Sequence, residues 1–253
     1  MSYSTFKGQL PPSKVLFALL ERQAGWDAEK GEPNPLGLSL RFVKIDQQSK
    51  AGERVTARYR IFAEGAPENK IFSFTSWTLS NSPTLDAHDF YVNGQGLVML
   101  HKPTPEQELI VEAPGDELVV TTVTRSAEPI RFLFARRDGE LGLYATLIPH
   151  PVMAEEQGCR VEVRIAQPDA TAVLIVADGF PAKDKMTLVI ESGEEAVSEV
   201  LTTNADGRAV MAVFPFVPGK THGVLKASAQ GPNCLPQVVF PWGEETHLEQ
   251  KTK

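Results

Sequence analysis

Apolar and polar residues alternate with period two through most of this chain. Val55, Ala57, Tyr59 and Ile61 interleave with Arg54, Thr56, Arg58 and Arg60. That is the signature of a strand with one buried face, here with a cationic outer face. Phe72 and Phe74 continue the pattern, followed by Leu118 and Val120, then Ile130, Phe132 and Phe134. Asp138-Gly139 turns the chain into Leu141, Leu143, Ala145 and Leu147. Strands at this spacing, separated by Gly and Pro turns, predict a sandwich or jelly roll over residues 37–150. Asn93-Gly94-Gln95-Gly96 reads as a hairpin turn within it.

The same alternation resumes after residue 158. Val161, Val163 and Ile165 alternate with Glu162 and Arg164. Ala172 to Val176 is continuously apolar, as expected of a central strand covered on both sides. Met186, Leu188 and Ile190 make another strand, Leu225, Ala227 and Ala229 another, and Val238 with Phe240 the last. Asn204-Ala205-Asp206-Gly207 lies between Leu201-Thr202-Thr203 and Arg208 to Val213, which predicts a tight hairpin turn with Gly207 at positive φ. About seven strands in roughly 85 residues match an immunoglobulin-like sandwich over 155–243. Pro149-His150-Pro151 through Gly158, proline-flanked and carrying Glu155-Glu156, is expected as the linker between the two domains. Residues 244–253 are a polar tail.

One helix is expected, in the lead-in over residues 1–36. Ser13 follows Pro11-Pro12 as a cap, Val15 with Leu19 and Leu16 with Leu20 form i,i+4 pairs, and Gly25 is a natural stop. The segment reads as a short amphipathic helix docked on a sheet or a partner. The fold class is therefore all-β: two tandem β-sandwich domains, the first jelly-roll or Ig-like and the second Ig-like, with one short N-terminal helix.

A family resemblance sits in the second domain. Residues 200–231, VLTTNADGRAVMAVFPFVPGKTHGVLKASAQG, resemble bacterial immunoglobulin-like modules of the invasin and intimin type. Thr203, Asn204, Gly207, Ala209 and Gly223 match that pattern, and Asp178-Gly179-Phe180-Pro181 resembles the turn between early strands of such modules. The resemblance implies the fold of residues 158–243. It implies no reaction, and residues 1–150 resemble no family.

Composition narrows the partners. The 253 residues are 42% hydrophobic, enough for packed cores, with a formal net charge of −7. Nucleic acid is not an expected partner, because neutralising phosphates needs a basic face. No apolar run reaches the ~20 residues of a membrane helix. Val15 to Leu20 is short and lacks the flanks of a secretory signal, which fits a cytoplasmic chain or a mature form without its leader. Compartment and oligomeric state stay open. The only two cysteines, Cys159 and Cys234, flank the second domain. They are either a disulfide between its first and last strands or two free, partly buried thiols.

Candidate chemistry is sparse. Asp86 and His88 share a face of an extended segment, and with Asp89 they could contribute to a metal site, which needs three or four ligands. The alternative is a polar loop in which the Asp residues cap turns. Trp77, Phe90 and Tyr91 could form an aromatic platform for a sugar or peptide, with core packing as the commoner fate. His150 would lie at the rim of the domain junction. No nucleophile elbow or phosphate-binding loop is present, and no cofactor is expected. The leading expectation is a non-catalytic binding, adhesion or cell-surface assembly protein with a protein or glycan ligand. The alternatives are a glycan- or peptide-acting hydrolase with its site near Asp86 and His88, and a cytoplasmic or phage-type structural protein.

Overall fold

The computed structural model describes residues 34–48, 55–68, 70–79, 83–86, 88–101, 117–215, 217 and 219–243. The expected helix over 13–24 and the tail 244–253 lie outside the described residues. Every regular element among the described residues is a strand, and the fold is all-β, built of antiparallel sheets packed as β-sandwiches. The chain divides into two units. The first takes the described residues up to Gln47, Ala57–Thr122 and Ile130–Leu147, and the second takes Gln48–Thr56, Val123–Pro129 and Ile148 onward. Val123–Pro129 and His150 thus belong with the second unit, although the expected boundary placed them in the first.

The first nine strands are β1 (Ser39–Gln48), β2 (Val55–Glu64), β3 (Phe72–Trp77), β4 (Thr84–Leu85), β5 (Asp89–Val92), β6 (Val98–His101), β7 (Val119–Thr124), β8 (Ile130–Arg136) and β9 (Gly142–Leu147). They form a three-stranded sheet, β1-β2-β7, and a six-stranded sheet ordered β6-β5-β3-β8-β9, with β4 also paired to β3. The alternation decides what each strand buries. Leu40, Ile61 and Ala63 meet Phe72, Phe74, Phe90, Phe132 and Phe134 in one cluster. Phe72 stacks on Phe134 with ring centroids 4.3 Å apart. The outer side of β2 is not the cationic face its arginines predict. Arg58 pairs with Asp46, and Arg60 with Glu117 at 2.9 Å, so the positive charge is locally neutralised. These pairs are exposed and each is worth little to stability. The Asn93–Gly96 turn closes a β5–β6 hairpin, with Val92 opposite Val98.

The second unit carries β10 (Val152–Glu156), β11 (Cys159–Ile165), β12 (Val173–Asp178), β13 (Lys185–Ser192), β14 (Glu195–Thr202), β15 (Ala209–Val213), β16 (His222–Gln230) and β17 (Gln237–Gly243). Two four-stranded sheets result, β10-β11-β12-β15 and β14-β13-β16-β17. β11 touches both β16 and β17 of the opposite sheet. Val161, Val163, Ile165, Val173 and Ile175 are buried, as are Leu188, Ile190, Leu225, Ala227 and Phe240. A disulfide joins Cys159, at the start of β11, to Cys234, in the loop before β17, and so ties one sheet to the other. Trp242 is 1% exposed; its Nε1 donates to Ser192 Oγ at 3.1 Å, and Ser192 Oγ donates to the Pro215 carbonyl at 2.7 Å.

Two expectations are corrected in this unit. The supposed linker contains β10, paired with β11 through a turn at Gln157-Gly158. The acidic pair hid the strand: Glu155 and Glu156 are exposed at its end, so its alternation is cut short. The Asn204–Gly207 turn is not a hairpin turn. β14 pairs with β13 and β15 with β12, so the turn carries the chain from one sheet to the other.

Candidate functional site

The Asp86, His88 and Asp89 cluster separates into two local arrangements. Asp86 follows β4, and its amide donates to the Phe74 carbonyl at 2.8 Å. Its Oδ1 accepts the His88 backbone N–H at 2.9 Å and lies 2.7 Å from His88 Nδ1. One carboxylate oxygen therefore caps the turn and fixes the imidazole. Asp89 opens β5 and instead pairs with Arg137 Nη2 at 2.5 Å. No three His, Cys, Asp or Glu among the described residues gather as metal ligands, so this trio does not converge. A Nδ1–carboxylate contact orients an imidazole as a base would need. Here the ring is exposed, and the turn-capping role accounts for both contacts.

The aromatic platform is likewise corrected. Phe90 and Tyr91 are 1% and 2% exposed and, as neighbours on a strand, point to opposite faces. Phe90 enters the main core at 6.1 Å from Phe74, whereas Tyr91 meets the His101 ring edge-on at 6.5 Å. Trp77 lies on the face away from that core. It packs with Leu85 on Leu133, Ala135 and Tyr144. Arg131 is Trp77's cross-strand partner, and burial pushes its guanidinium below the ordinary value. His150 is half-buried, and its carbonyl accepts the Ala127 N–H at 2.8 Å.

The two segments that carry the family resemblance do meet. Asn204 Oδ1 accepts from the amides of Asp206 and Arg208 at 2.9 and 3.0 Å. Phe180 N–H donates to the Gly207 carbonyl, and Lys183 N–H to the Asn204 carbonyl, both at 3.1 Å. Thr203 is 3% exposed; its Oγ1 donates to the Pro181 carbonyl at 2.6 Å and accepts the Asp184 amide at 3.1 Å. A Cβ at Gly207 would collide with the Phe180 carbonyl, and one at Gly179 with the Gly158 carbonyl. These residues lock turns together at one end of the sandwich, which explains their pattern as structure.

An exposed apolar patch beside one ion pair lies on the outer side of β14-β13-β16-β17. Val224 is opposite Pro241, and Lys226 is opposite Val239 on one side and Glu191 on the other. Val224 and Val239 are 51% and 58% exposed, and Lys226 Nζ is 3.4 Å from Glu191 Oε2. The sequence signal was faint: Val224 precedes an inward Leu225, and Val239 separates inward Val238 from inward Phe240. At the edge of the same sheet, β14 is exposed along nearly its whole length.

No family model matches the chain, and no curated protein matches it. Among solved structures it is similar to a tetra-tandem repeat in the extending region of a large adhesion protein, at 11% identity and a TM-score of 0.23. The alignment covers 81% of this chain and 48% of that one, so this chain spans about half of that structure. No helix among the described residues is long and apolar enough to cross a membrane.

Proposed function

We propose that this protein is a non-catalytic binding and assembly module whose second sandwich is immunoglobulin-like and whose partner is a protein surface, in the first instance a second copy of itself. Strand order supports the Ig-like reading. With β11, β12 and β15 as strands A, B and E, and β14, β13, β16 and β17 as C′, C, F and G, the neighbours agree with that fold, while β10 is an added strand beside A and no strand D pairs with β15 among the described residues.

The observation that carries the functional reading is the exposed outer face built from Val224, Val239 and Pro241 beside the Glu191–Lys226 pair. Branched aliphatic side chains and proline offer close apolar packing but no aromatic face on which a sugar could stack, which favours a protein over a glycan. Both charge signs flank the apolar patch, so a two-fold related copy can set Glu191 against Lys226 and valine against valine. Strand addition at β14 is disfavoured. Glu199 pairs with Leu188 in register, which puts a charge on the core side of the edge strand, a device that blocks edge-to-edge pairing.

Sedimentation velocity over a wide concentration range tests this. The parent protein should associate reversibly, and Val224→Lys with Val239→Lys should shift the midpoint at least tenfold upward. A parent that stays monomeric at every concentration, or association unchanged in the double variant, overturns the reading.

A further inference from the structure

β15 is the last strand of its sheet, and among the described residues β12 is its only paired neighbour. The register shows which backbone groups this leaves over. The Ala166 N–H donates to the Ala172 carbonyl at 2.9 Å, which continues the β11–β12 ladder. Bonded and non-bonded pairs alternate along an antiparallel ladder. Leu174 and Val176 of β12 therefore turn their N–H and C=O groups to β11, while Val173, Ile175 and Ala177 turn theirs to Val213, Met211 and Ala209 of β15. The N–H and C=O groups of Val210 and Ala212 point the other way, off the edge of the sheet.

The four edges of this sandwich are not alike. β10 ends in Glu155-Glu156, β14 carries Glu195 and Glu199, and β17 carries Pro241. Charge and proline on an edge strand discourage the addition of another strand. β15, Ala209-Val210-Met211-Ala212-Val213, has neither. It is a short, neutral, apolar edge with its outward backbone groups ready to pair.

We propose that β15 pairs antiparallel with β15 of a second copy, about a two-fold axis at Met211. The placing of the outward groups favours that occupant. With Met211 opposite Met211 of the second copy, Val210 falls opposite Ala212 and Ala212 opposite Val210. Both residues of each pair point their groups at the other, so four main-chain hydrogen bonds form and no outward group of β15 is left over. A register in which Ala212 met Arg208 would be poorer, because the Arg208 N–H and C=O are already bonded to Asn204. A two-fold contact also uses up the open edge of both copies, so association through it stops at the pair instead of running on as a fibre. Two four-stranded sheets become one continuous sheet. Val224 and Val239 lie on the opposite sheet, and this contact does not rest on the reading given for them.

Cysteine scanning in the full chain tests this. Cys159 and Cys234 are joined to each other, so an added cysteine is the sole free thiol. Met211 and its counterpart form a non-bonded pair with Cα atoms about 4.5 Å apart, within the span of a disulfide. Val210 and its counterpart are offset by two residues along the strands and fall beyond that span, as do the two Ala212 residues. Under mild oxidation Met211→Cys should give disulfide-linked dimer in at least fivefold higher yield than Val210→Cys or Ala212→Cys. Adding Ala212→Pro, which removes one outward N–H at a position where an edge strand tolerates proline, should cut that yield at least fivefold. Adding Val224→Lys with Val239→Lys should leave it unchanged, which separates this contact from the one on the opposite sheet. Equal yields from the three positions, no effect of the proline, or loss of the product with the two lysines overturns the proposal. Amide exchange in the parent protein gives a readout without substitution. The Val210 and Ala212 amides should exchange slowly at high protein concentration and fast on dilution. Fast exchange at every concentration overturns the proposal. Slow exchange at every concentration does so too, because it places a segment of the same chain on this edge.

Discussion

Asn93 and Asn204 build the same turn. In each, the Asn amide donates to the carbonyl four residues on, and the Gly three residues on donates back to the Asn carbonyl. In each, Oδ1 accepts from the amides two and four residues later. Gly96 and Gly207 have φ of 77° and 75°, where a Cβ is strained. Gly207 also lies against the Phe180 carbonyl. Gly207→Val should therefore cost about 1–3 kcal/mol from backbone strain, with more added by the collision. Gly158 at φ 83° has open space around a built Cβ, so Gly158→Val carries the strain alone. Urea unfolding of the two variants should rank Gly207→Val as the more destabilised. Equal losses would mean that the packing of Phe180 on the turn contributes nothing. At this scale the sequence was informative: the turn residues and the positive φ of Gly207 could be read directly. That Asp89 would turn to Arg137 could not, because the partner lies far along the chain, in the turn just after β8.

At the scale of elements, the period-two pattern located most strands but undervalued those that are short or acidic. β10 is the clearest case. Its register with β11 runs from Val152 opposite Val163 to Glu156 opposite Cys159, and Glu156 Oε2 also accepts the Leu235 amide at 2.7 Å. The β10 amides that face β11 should exchange slowly, and limited proteolysis should spare residues 152–156. Hydrogen exchange by mass spectrometry checks this, and rapid exchange throughout β10 would mean the hairpin is frayed in solution. β5 shows the converse. Asp89-Phe90-Tyr91-Val92 reads as a strand with an aromatic pair, yet both faces of β5 are covered, so neither ring is available to a ligand.

For the second unit as a whole, the disulfide is the main covalent constraint. It closes a loop of 75 residues between two sheets that face each other across a core. In the chain-entropy account such a loop restricts the unfolded chain by about 4 kcal/mol. Cys159→Ser with Cys234→Ser, or full reduction, should lower stability by an amount of that order. Denaturant unfolding with and without reductant measures it. The parent should lose stability on reduction, while the double variant should be indifferent to reductant. Burial at Phe180 bears on the result, because a Cβ at Gly231 would touch both Cys234 Sγ and Phe180, both at 2.9 Å. The bridge, the Phe180 ring and the Gly207 turn thus share one end of the sandwich.

The paired Asn turns show where local information stops. Residues within a few positions of one another set a strand's alternation, a turn's hydrogen bonds and a glycine's φ, and all of these could be read from the chain. The all-β class, most strands and the Asn-x-x-Gly turns follow from that. Whether such a turn closes a hairpin, as after β5, or crosses between sheets, as after β14, depends on which strand covers which apolar face. That choice is made by burial summed over residues far apart in sequence, and no window of neighbours contains it. The same holds for the site. Asp86 and His88 meet because they are two residues apart, whereas Val224, Val239 and Pro241 form one patch only because β16 and β17 pair in a register that the tertiary structure sets.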